Sequence, residues 1–297
     1  MKLSIITPVF NEKKRVGEYL EMLSKQTVPP EIVIVDGHSK DGTIDVVKKY
    51  QKKMKNLKLF FETGEFKSPA NARNIGLEKA KGEFVFVADV DAIFENKFTE
   101  KIEKEIEKTK ANVIRFNFKP LKPRFNSSIE KAYYYRDIAR CLKKQKFHLL
   151  KKKLHPKYNP SLGYGEDKIL WREISRIISE NKAYHSKEVL CICVIGPKNL
   201  KEVWNRYKWY GRTGMLYYHK SKDKIHLTKM ALAVLSIPFI FIALIPMIRG
   251  LIYSLRIIKE YPQGMIIIPL LEALAFPAMA VGFWKYILNK KNKHRGH

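Results

Sequence analysis

Two aspartates one residue apart, Asp89 and Asp91, directly follow the apolar run Val85–Ala88. A run of β-branched and aromatic residues that ends in charge is typical of a buried parallel strand, and the ligand crevice of an open α/β sheet lies at the carboxyl ends of such strands. Carboxylate oxygens suit hard divalent cations. The pair therefore predicts a Mg²⁺ or Mn²⁺ site, and a cation there would in turn hold a diphosphate.

Other polar residues follow neighbouring predicted strands. The segment Pro8-Val9-Phe10-Asn11-Glu12 comes after the first strand, and Asp36 closes the second. Carboxyl ends of parallel strands share one edge of a sheet. We therefore expect these residues to converge with Asp89 and Asp91 around a nucleotide.

The first hundred residues alternate between strand and helix patterns. Strands are predicted over Leu3–Thr7, Glu31–Asp36, Leu57–Glu62 and Glu83–Ala88, and helices fill the intervals, for example over Ala70–Lys81. This alternation predicts an α/β fold with a mostly parallel sheet flanked by helices.

The pattern from residue 113 onward is mixed. Its segments predict a strand over Val113–Phe118, a basic helix with three consecutive tyrosines over Ser128–Phe147, and a glycine-bracketed acidic turn at Gly163–Asp167 that opens a helix through Ile177. A second strand is predicted over Val189–Ile195 and an aromatic helix over Val203–Tyr218. The basic helix suits either a membrane surface or a solvated face.

The composition changes after Lys229. Residues 230–248 contain no charge, and residues 264–284 contain only Glu272. Runs this apolar are typical of bilayer crossings. We therefore predict a domain over residues 1–220, followed over 225–297 by a hydrophobic helical hairpin that anchors the chain in a membrane and ends in a basic tail.

Lysines flank both outer ends of this hairpin, which predicts a multi-pass protein of the cell membrane with its domain and tail in the cytoplasm. The connection Arg249–Gln263 would then lie on the far side. That connection also carries the basic residues Arg249, Arg256 and Lys259, so a re-entrant or interfacial hairpin stays open as an alternative.

The excess of basic over acidic residues indicates which class of molecule the chain binds. The chain has 57 Lys and Arg against 29 Asp and Glu, a formal net charge of +28. Such a surplus indicates an anionic partner: nucleic acid, an acidic membrane face or phosphorylated substrates. The lysines are scattered and no nucleic-acid motif is present, so nucleic acid is not expected. The three cysteines form neither a disulfide framework nor a zinc spacing.

Five motifs occur together in order, and they carry a resemblance. With the segment after the first strand, Asp36 and the Asp89/Asp91 pair, the chain has Ala72-Arg73-Asn74-Ile75-Gly76-Leu77, Ala80-Lys81-Gly82-Glu83 and Gly165-Glu166-Asp167. Over about residues 3–215 it resembles the family 2 glycosyltransferases of the GT-A fold.

The resemblance implies roles for single residues. Pro8, Phe10, Asn11, Glu12, Asp36, Arg73 and Asp89 would bind the nucleotide sugar, Asp91 with Asp89 would hold the metal, and Asp167 would be the catalytic base. Glu166, Arg206 and Arg212 would contact the acceptor. The second acid that the family commonly has after the position of Asp36 is replaced here by Gly37. The Gln-x-x-Arg-Trp motif of processive members is also absent, which disfavours processive polymer synthesis.

The implied chemistry is sugar transfer with inversion at the anomeric carbon. A cation offsets charge on the leaving diphosphate, and a carboxylate base takes the proton of the acceptor hydroxyl. With one base and no covalent step, inversion follows. The expected acceptor is a lipid-linked intermediate or a glycan at the cytoplasmic membrane face.

Alternatives stay open at this stage. Asp36 and Asp167 suit helix caps, and Arg206 and Arg212 suit interface packing. A sugar-nucleotide nucleotidyltransferase shares this kind of sheet, but it would want a glycine-rich loop after the first strand, where this chain has none before Gly17. A basic membrane-tethered or nucleic-acid-binding protein without catalysis is the remaining alternative.

Overall fold

The computed structural model of the protein describes residues 2–65, 67–141, 146–162, 165–194, 196–222, 224–236, 242 and 244–288. The chain forms two compact units. The first comprises Met1–Pro123, Gln145–Pro160 and Asp167–Val194, and the second comprises Arg124–Lys144, Ser161–Glu166 and Ile195–His297. The predicted division at residues 220–225 stays a prediction.

The first unit contains an eight-stranded sheet in the order β3-β2-β1-β4-β7-β6-β8-β5. Its strands are β1 Leu3–Val9, β2 Glu31–Asp36, β3 Leu57–Phe61, β4 Phe84–Val87, β5 Ala92–Phe94, β6 Val113–Pro120, β7 Lys146–Lys151 and β8 Tyr184–Val194. The helices with it are α1 Lys13–Ser24, α2 Thr43–Gln51, α3 Pro69–Lys79, α4 Phe98–Lys108 and α6 Glu166–Glu180.

The sheet is parallel in its first half and mixed in its second. β1 pairs in parallel with β2 and β4, and β2 pairs in parallel with β3, as predicted. β7 runs antiparallel to β4 and β6, and β5 runs antiparallel to β8. The helix predicted over Ser128–Phe147 is wrong at its end, because the observed helix, α5 Ser128–Cys141, stops at Cys141 and Lys146–Lys151 form the strand β7. Residues 142–145 lie outside the described residues.

A buried carboxylate fixes three strands at the amino edge of the sheet. Glu31 is 3 % exposed and accepts hydrogen bonds from Ser4 Oγ at 2.5 Å, Lys81 N at 2.6 Å and Gly82 N at 3.3 Å. A Cβ on Gly82 would lie 2.7 Å from the backbone nitrogen of Ser4. The Ala80–Glu83 motif is therefore a packing motif, which requires glycine where two backbones meet.

The second unit is helical. It contains α5 Ser128–Cys141, α7 Leu200–Ser221, α8 Lys224–Leu235, α9 Leu244–Arg256, α10 Gly264–Ala273 and α11 Ala275–Leu288. Two glycines let α7 and α11 approach closely, since a Cβ on Gly211 would lie 1.9 Å from Met279 O and one on Gly282 would lie 1.8 Å from Lys208 O.

The predicted pair of membrane-crossing helices takes a different form. Among the described residues, one helical stretch is long and apolar enough to cross a bilayer: Gly264–Leu288, of which half the most apolar window is buried inside the protein. It matches the second predicted helix. Of the first, residues 237–241 and 243 lie outside the described residues, and the described parts belong to α8 and α9, which have 12 and 13 residues. A multi-pass arrangement is therefore not supported.

A buried arginine, Arg136, and a partly exposed one, Arg249, neutralise Glu272, the acid inside that apolar stretch. Its side chain accepts hydrogen bonds from Arg136 at 3.1 Å and from the Tyr207 hydroxyl at 3.1 Å, and it is also paired with Arg249. Arg136 in addition donates to Asp137 at 2.7 Å. Glu272 is 2 % exposed. The charge that interrupts the apolar run is thus enclosed by partners on α5, α7 and α9.

Candidate active site

The loops after β1 and β2 are joined at the carboxyl edge of the sheet. Val9 pairs with Asp36 in the parallel register, and Gly37 N donates to Val9 O at 2.9 Å. Asn11 has a left-handed backbone with φ of 55° and both donates to Ser39 Oγ and accepts from Lys40 N, at 2.8 and 2.9 Å. The predicted donor-binding segment is therefore hydrogen-bonded to the loop after β2.

The remaining residues of that segment lie where the sequence places them. Pro8 is in β1 opposite Val35, and the ring of Phe10 packs against Gly37, whose Cβ would lie 3.1 Å from it. Glu12 precedes α1, and its backbone nitrogen donates to Thr43 Oγ1 at 2.8 Å. The loops are thus tied to the starts of both α1 and α2.

Asp36 anchors the second loop. It is fully buried, and its two carboxylate oxygens accept from Ser39 N and Ser39 Oγ, each at 2.7 Å. The alternative role as a cap of α2 is not what the structure shows, because Asp41 accepts from Thr43 N at 3.0 Å at the start of that helix. A contact between Asp36 and a nucleotide base stays a prediction.

Arg73 and Asp89 meet at the same edge. Arg73 Nη2 donates to Asp89 Oδ1 at 2.7 Å, and the guanidinium lies 5.4 Å from the centre of the Tyr158 ring. The Arg73 side chain is 12 % exposed, whereas that of Asp89 is 56 % exposed. Sequence positions sixteen residues apart, predicted to bind one ligand, are therefore in direct contact.

Asp91 and Asp89 both lie near Tyr19. Burial raises the pKa of Tyr19, whose hydroxyl is bonded to Thr7 Oγ1 at 2.7 Å, and the charges of Asp89 and Asp91 raise that pKa further. Both aspartates therefore lie near the carboxyl half of β1. Asp91 is half-buried and Asp89 exposed.

The carboxylate pair fits a divalent cation. Among the described residues no cluster of three or more His, Cys, Asp or Glu could hold a metal. Mg²⁺ is usually held by one or two carboxylates, with water and substrate phosphates completing its shell. Two aspartates on an accessible edge meet that requirement.

Glu62 is a residue of this edge that the sequence analysis missed. It follows β3 directly, is 1 % exposed, and accepts from Ser68 N at 2.7 Å and Asn71 Nδ2 at 3.0 Å. Burial raises the pKa of Glu62, although these hydrogen bonds act to lower it. Its backbone oxygen contacts His38 Nε2 at 2.7 Å. The signal was available, because Glu62 ends a predicted strand just as Asp36 does.

Asp167 stands in the first turn of α6. The helix begins at Glu166, which is buried, while Asp167 is exposed. Gly165 precedes it with φ of +81°, and a Cβ there would lie 2.4 Å from the Tyr217 ring. Residues 163 and 164 lie outside the described residues. The catalytic role of Asp167 stays a prediction.

The two candidate acceptor arginines lie on α7. The Arg206 guanidinium is 6.0 Å from the centre of the Tyr133 ring. Burial lowers the pKa of Arg212. Both belong to the second unit, as does Glu166, and their contact with an acceptor stays a prediction.

Part of the chain is similar to a protein family and to individual proteins. The model of glycosyl transferase family 2 matches residues 4–165. Over 94 residues the chain is 40 % identical to the poly(ribitol-phosphate) beta-N-acetylglucosaminyltransferase TarS of Staphylococcus aureus, covering 31 % of this chain and 16 % of TarS. Over 101 residues it is 39 % identical to a dolichyl N-acetyl-alpha-D-glucosaminyl phosphate 3-beta-D-2,3-diacetamido-2,3-dideoxy-beta-D-glucuronosyltransferase of Methanococcus voltae, covering 32 % of this chain and 31 % of that protein. The matches thus span less than a third of either relative.

Solved structures extend the likeness to nearly the whole chain. A mannosyltransferase from Pyrobaculum calidifontis, in complex with GDP-mannose and Mn²⁺, has a TM-score of 0.57 at 15 % identity and covers 98 % of this chain and 88 % of its own. S. aureus TarS 1–349 with UDP has a TM-score of 0.53 at 18 % identity, covering 97 % and 92 %. These likenesses confirm the predicted GT-A fold. Because the family model covers more than half of the sequence, the chain belongs to family 2 of the glycosyl transferases.

Proposed function

We propose that the protein transfers a sugar, with inversion, from a nucleotide-sugar donor to a hydroxyl of a lipid-linked or glycan acceptor at a membrane surface. The observation that carries this proposal is the contact between Arg73 and Asp89 at the sheet edge where β1 and β2 also end in predicted donor-binding residues. Family membership supplies the reaction class, and this contact supports the proposed position of the active site.

The donor would lie across the loops after β1 and β2. Pro8, Phe10, Asn11 and Glu12 would line the nucleotide pocket, and the loop held by Asp36 would meet the base. A loop fixed by hydrogen bonds loses little entropy when a ligand binds, which favours affinity. Arg73 would add charge-assisted hydrogen bonds to the diphosphate.

Asp89 and Asp91 would hold Mg²⁺ or Mn²⁺. When bound, the cation offsets charge on the leaving nucleoside diphosphate. The mannosyltransferase structure with GDP-mannose and Mn²⁺ supports this cofactor class. Arg73, next to Asp89, contributes a further positive charge that stays with the protein.

Asp167 would act as the base. Its exposed carboxylate takes the proton of the acceptor hydroxyl while the acceptor oxygen bonds to the anomeric carbon and the bond from that carbon to the diphosphate breaks. The electron pair leaves with the diphosphate, and the configuration inverts. General-base assistance of this kind contributes about 10²–10⁴-fold to the rate.

The acceptor is proposed to be anionic and membrane-bound. The two relatives are named for poly(ribitol phosphate) and for a dolichyl phosphate-linked sugar, both phosphate-containing acceptors. A chain with net charge +28 is attracted to such molecules and to acidic membrane surfaces. Arg206, Arg212 and Glu166 are the proposed acceptor contacts, and the catalytic domain is proposed to face the cytoplasm.

The test is a panel of nucleotide sugars, including UDP-GlcNAc and GDP-mannose, with Mg²⁺ or Mn²⁺. Donor binding is measured by thermal shift and turnover by release of nucleoside diphosphate. We expect Asp91→Asn to lose metal-dependent donor binding, and Asp167→Asn to keep donor binding and lose turnover. Asp45→Asn, an equal change at an exposed position of α2, is the control and should match the wild type.

Each part of the proposal can fail separately. Normal turnover by Asp167→Asn would refute the base assignment. If no nucleotide sugar shifted the melting temperature with either cation, the donor class would be wrong. A radiolabelled sugar that never entered the organic phase of membranes containing the protein would exclude the lipid-linked acceptor.

A further inference from the structure

We propose that α9 and α10 form a monotopic membrane-binding hairpin, whose outward apolar face enters one leaflet of an anionic bilayer without crossing it. This inference deepens the proposed function, on which it rests for the involvement of a membrane. The proposed binding partner of the outward face of α9 and α10 is lipid. Its tests measure binding and sidedness, so they are independent of sugar transfer.

The outer face of α9 is apolar and exposed. Six leucines and isoleucines at helical spacing are between 40 and 61 % exposed: Leu244, Ile245, Ile248, Leu251, Ile252 and Leu255. A soluble helix directs such a stripe toward the protein core. Here the stripe points outward, which is the arrangement of a helix in contact with lipid.

The inner face of α9 is built from small and polar residues. Gly250 meets the backbone of α10, since its Cβ would lie 2.7 Å from Pro269 Cα. Ser254 is fully buried and its hydroxyl lies 2.7 Å from Gly264 O. The two helices are thus joined by close backbone packing, and this contact leaves the apolar stripe uncovered.

α10 also has exposed aliphatic side chains. Ile266 and Leu270, four residues apart, are 70 and 55 % exposed. The turn between the helices contains Gln263, which is exposed. The hairpin therefore offers exposed aliphatic side chains on both of its helices.

The geometry disfavours a crossing by this hairpin. α9 has 13 residues and α10 has 10, so they are about 20 and 15 Å long. The hydrocarbon core of a bilayer is about 30 Å thick. The stretch Gly264–Leu288 is long enough, but half of its most apolar window is buried in protein and Glu272 is bonded to two arginines.

Charge identifies the occupant as anionic lipid. Arg256, the last residue of α9, and Lys259, just after it, are exposed beside the exposed acid Glu260, and the sequence of residues 220–297 contains twelve Lys and Arg against three Asp and Glu. Acidic headgroups attract such a surface. A second copy of this chain would bring a like charge to the same place and be repelled.

The first test is flotation of the full chain with vesicles of phosphatidylcholine, with and without phosphatidylglycerol. We expect binding that increases with phosphatidylglycerol. The double variant Ile248→Glu/Ile252→Glu should bind roughly tenfold less or weaker still, because two apolar contacts are replaced by charge. Its matched control is Trp171→Glu/Val194→Glu, at positions 46 and 53 % exposed in the first unit, which should float as the wild type does.

Three results of this test would overturn the inference. The hairpin variant could float as well as the wild type, or the control variant could lose as much vesicle binding as the hairpin variant does. In the third, the wild type is a dimer that does not bind vesicles, and the hairpin substitutions dissociate that dimer. The last would make a second copy the occupant. Nucleotide-sugar binding by the hairpin variant, measured by thermal shift, reports that it is folded. Absence of sugar transfer by the wild type would leave the flotation result standing.

The second test determines sidedness. In a background with Cys141, Cys191 and Cys193 changed to serine, Gln263→Cys and Lys52→Cys are each labelled with a membrane-impermeant maleimide in sealed vesicles of either orientation. We expect both cysteines to be labelled from the same side. Labelling of Gln263→Cys only from the side opposite to Lys52→Cys would show that the hairpin crosses, and would overturn the inference.

Discussion

Replacing Glu272 by leucine removes a carboxylate that Arg136, Arg249 and Tyr207 share. One of its oxygens accepts from Arg136 and Tyr207, both at 3.1 Å, and the other is paired with Arg249. Its side chain is 3 % exposed, that of Arg136 is 8 % and that of Arg249 is 41 %. The variant therefore leaves a buried guanidinium with fewer partners.

The magnitude follows from the exposure of the two arginines. Breaking a buried ion pair costs about 3–5 kcal/mol. Arg249 can turn to water, and Arg136 keeps Asp137 at 2.7 Å and the Tyr133 ring at 3.8 Å. We therefore expect the lower end, about 3 kcal/mol, which corresponds to a fall in Tm of roughly 6–12 °C by the scaling for domains of 150–250 residues.

The assay is guanidinium chloride unfolding in a non-ionic detergent, followed by tryptophan fluorescence. Glu260→Leu, at an exposed position after α9, is the control and should change the free energy of unfolding by less than about 0.5 kcal/mol. The double variant Glu272→Leu/Arg136→Met should recover part of the loss, because an apolar pair can replace a buried ion pair at little cost. If Glu272→Leu were as stable as the wild type or more stable, α10 would not be enclosed by the arginines, and the reasoning would be refuted.

Further predictions concern a close helix contact and two buried polar groups. Gly282→Ala should destabilise the protein by about 3 kcal/mol in the same unfolding assay, because the added methyl group overlaps Lys208 O, whereas Gly17→Ala, with ordinary contacts on α1, should not. Burial raises the pKa of Glu62, so between the ordinary and the raised pKa the native state binds more protons than the unfolded chain. The free energy of unfolding therefore falls as the pH rises through that window. Glu62→Gln should remove this fall in a series of Tm measurements against pH. Ser39→Ala removes the hydroxyl that bonds Asn11 N and Asp36 Oδ2, which should lower the free energy of unfolding by about 2 kcal/mol. The same change should weaken donor binding, measured by thermal shift with the donor. An unchanged donor affinity would show that this loop is not part of the donor site.

The sequence was sufficient for the parallel half of the sheet. The interior of β2, Ile32–Val35, is a continuous apolar run bounded by charged residues, so Glu31–Asp36 was predicted with its exact bounds. β7 was missed because Lys146–Lys151 lies between lysines and has no clear alternation of polar and apolar residues. Its strand conformation depends on antiparallel partners on both sides, which are distant in sequence.

The candidate site was predictable by type and position, but its internal contacts were not. Strand ends placed Asp36 and Asp89 together in expectation, the family resemblance added Arg73, and the structure joins Arg73 to Asp89. The binding of Asp36 to Ser39 depends on a local turn that several sequences could form. The partners of Glu272 are as far as 136 residues away, and no local pattern reports such a contact.

The carboxylate of Glu31 has a consequence for which changes of chain length this sheet tolerates. It ties the first residues of β1 and β2 to the turn before β4, at the edge opposite to Asp36. One residue inserted into β2 would move Asp36 by about 3.3 Å and turn it to the other face, while Glu31 remained bound. Natural variation in length is therefore expected in the loops beyond Asp36 and absent between these two acids.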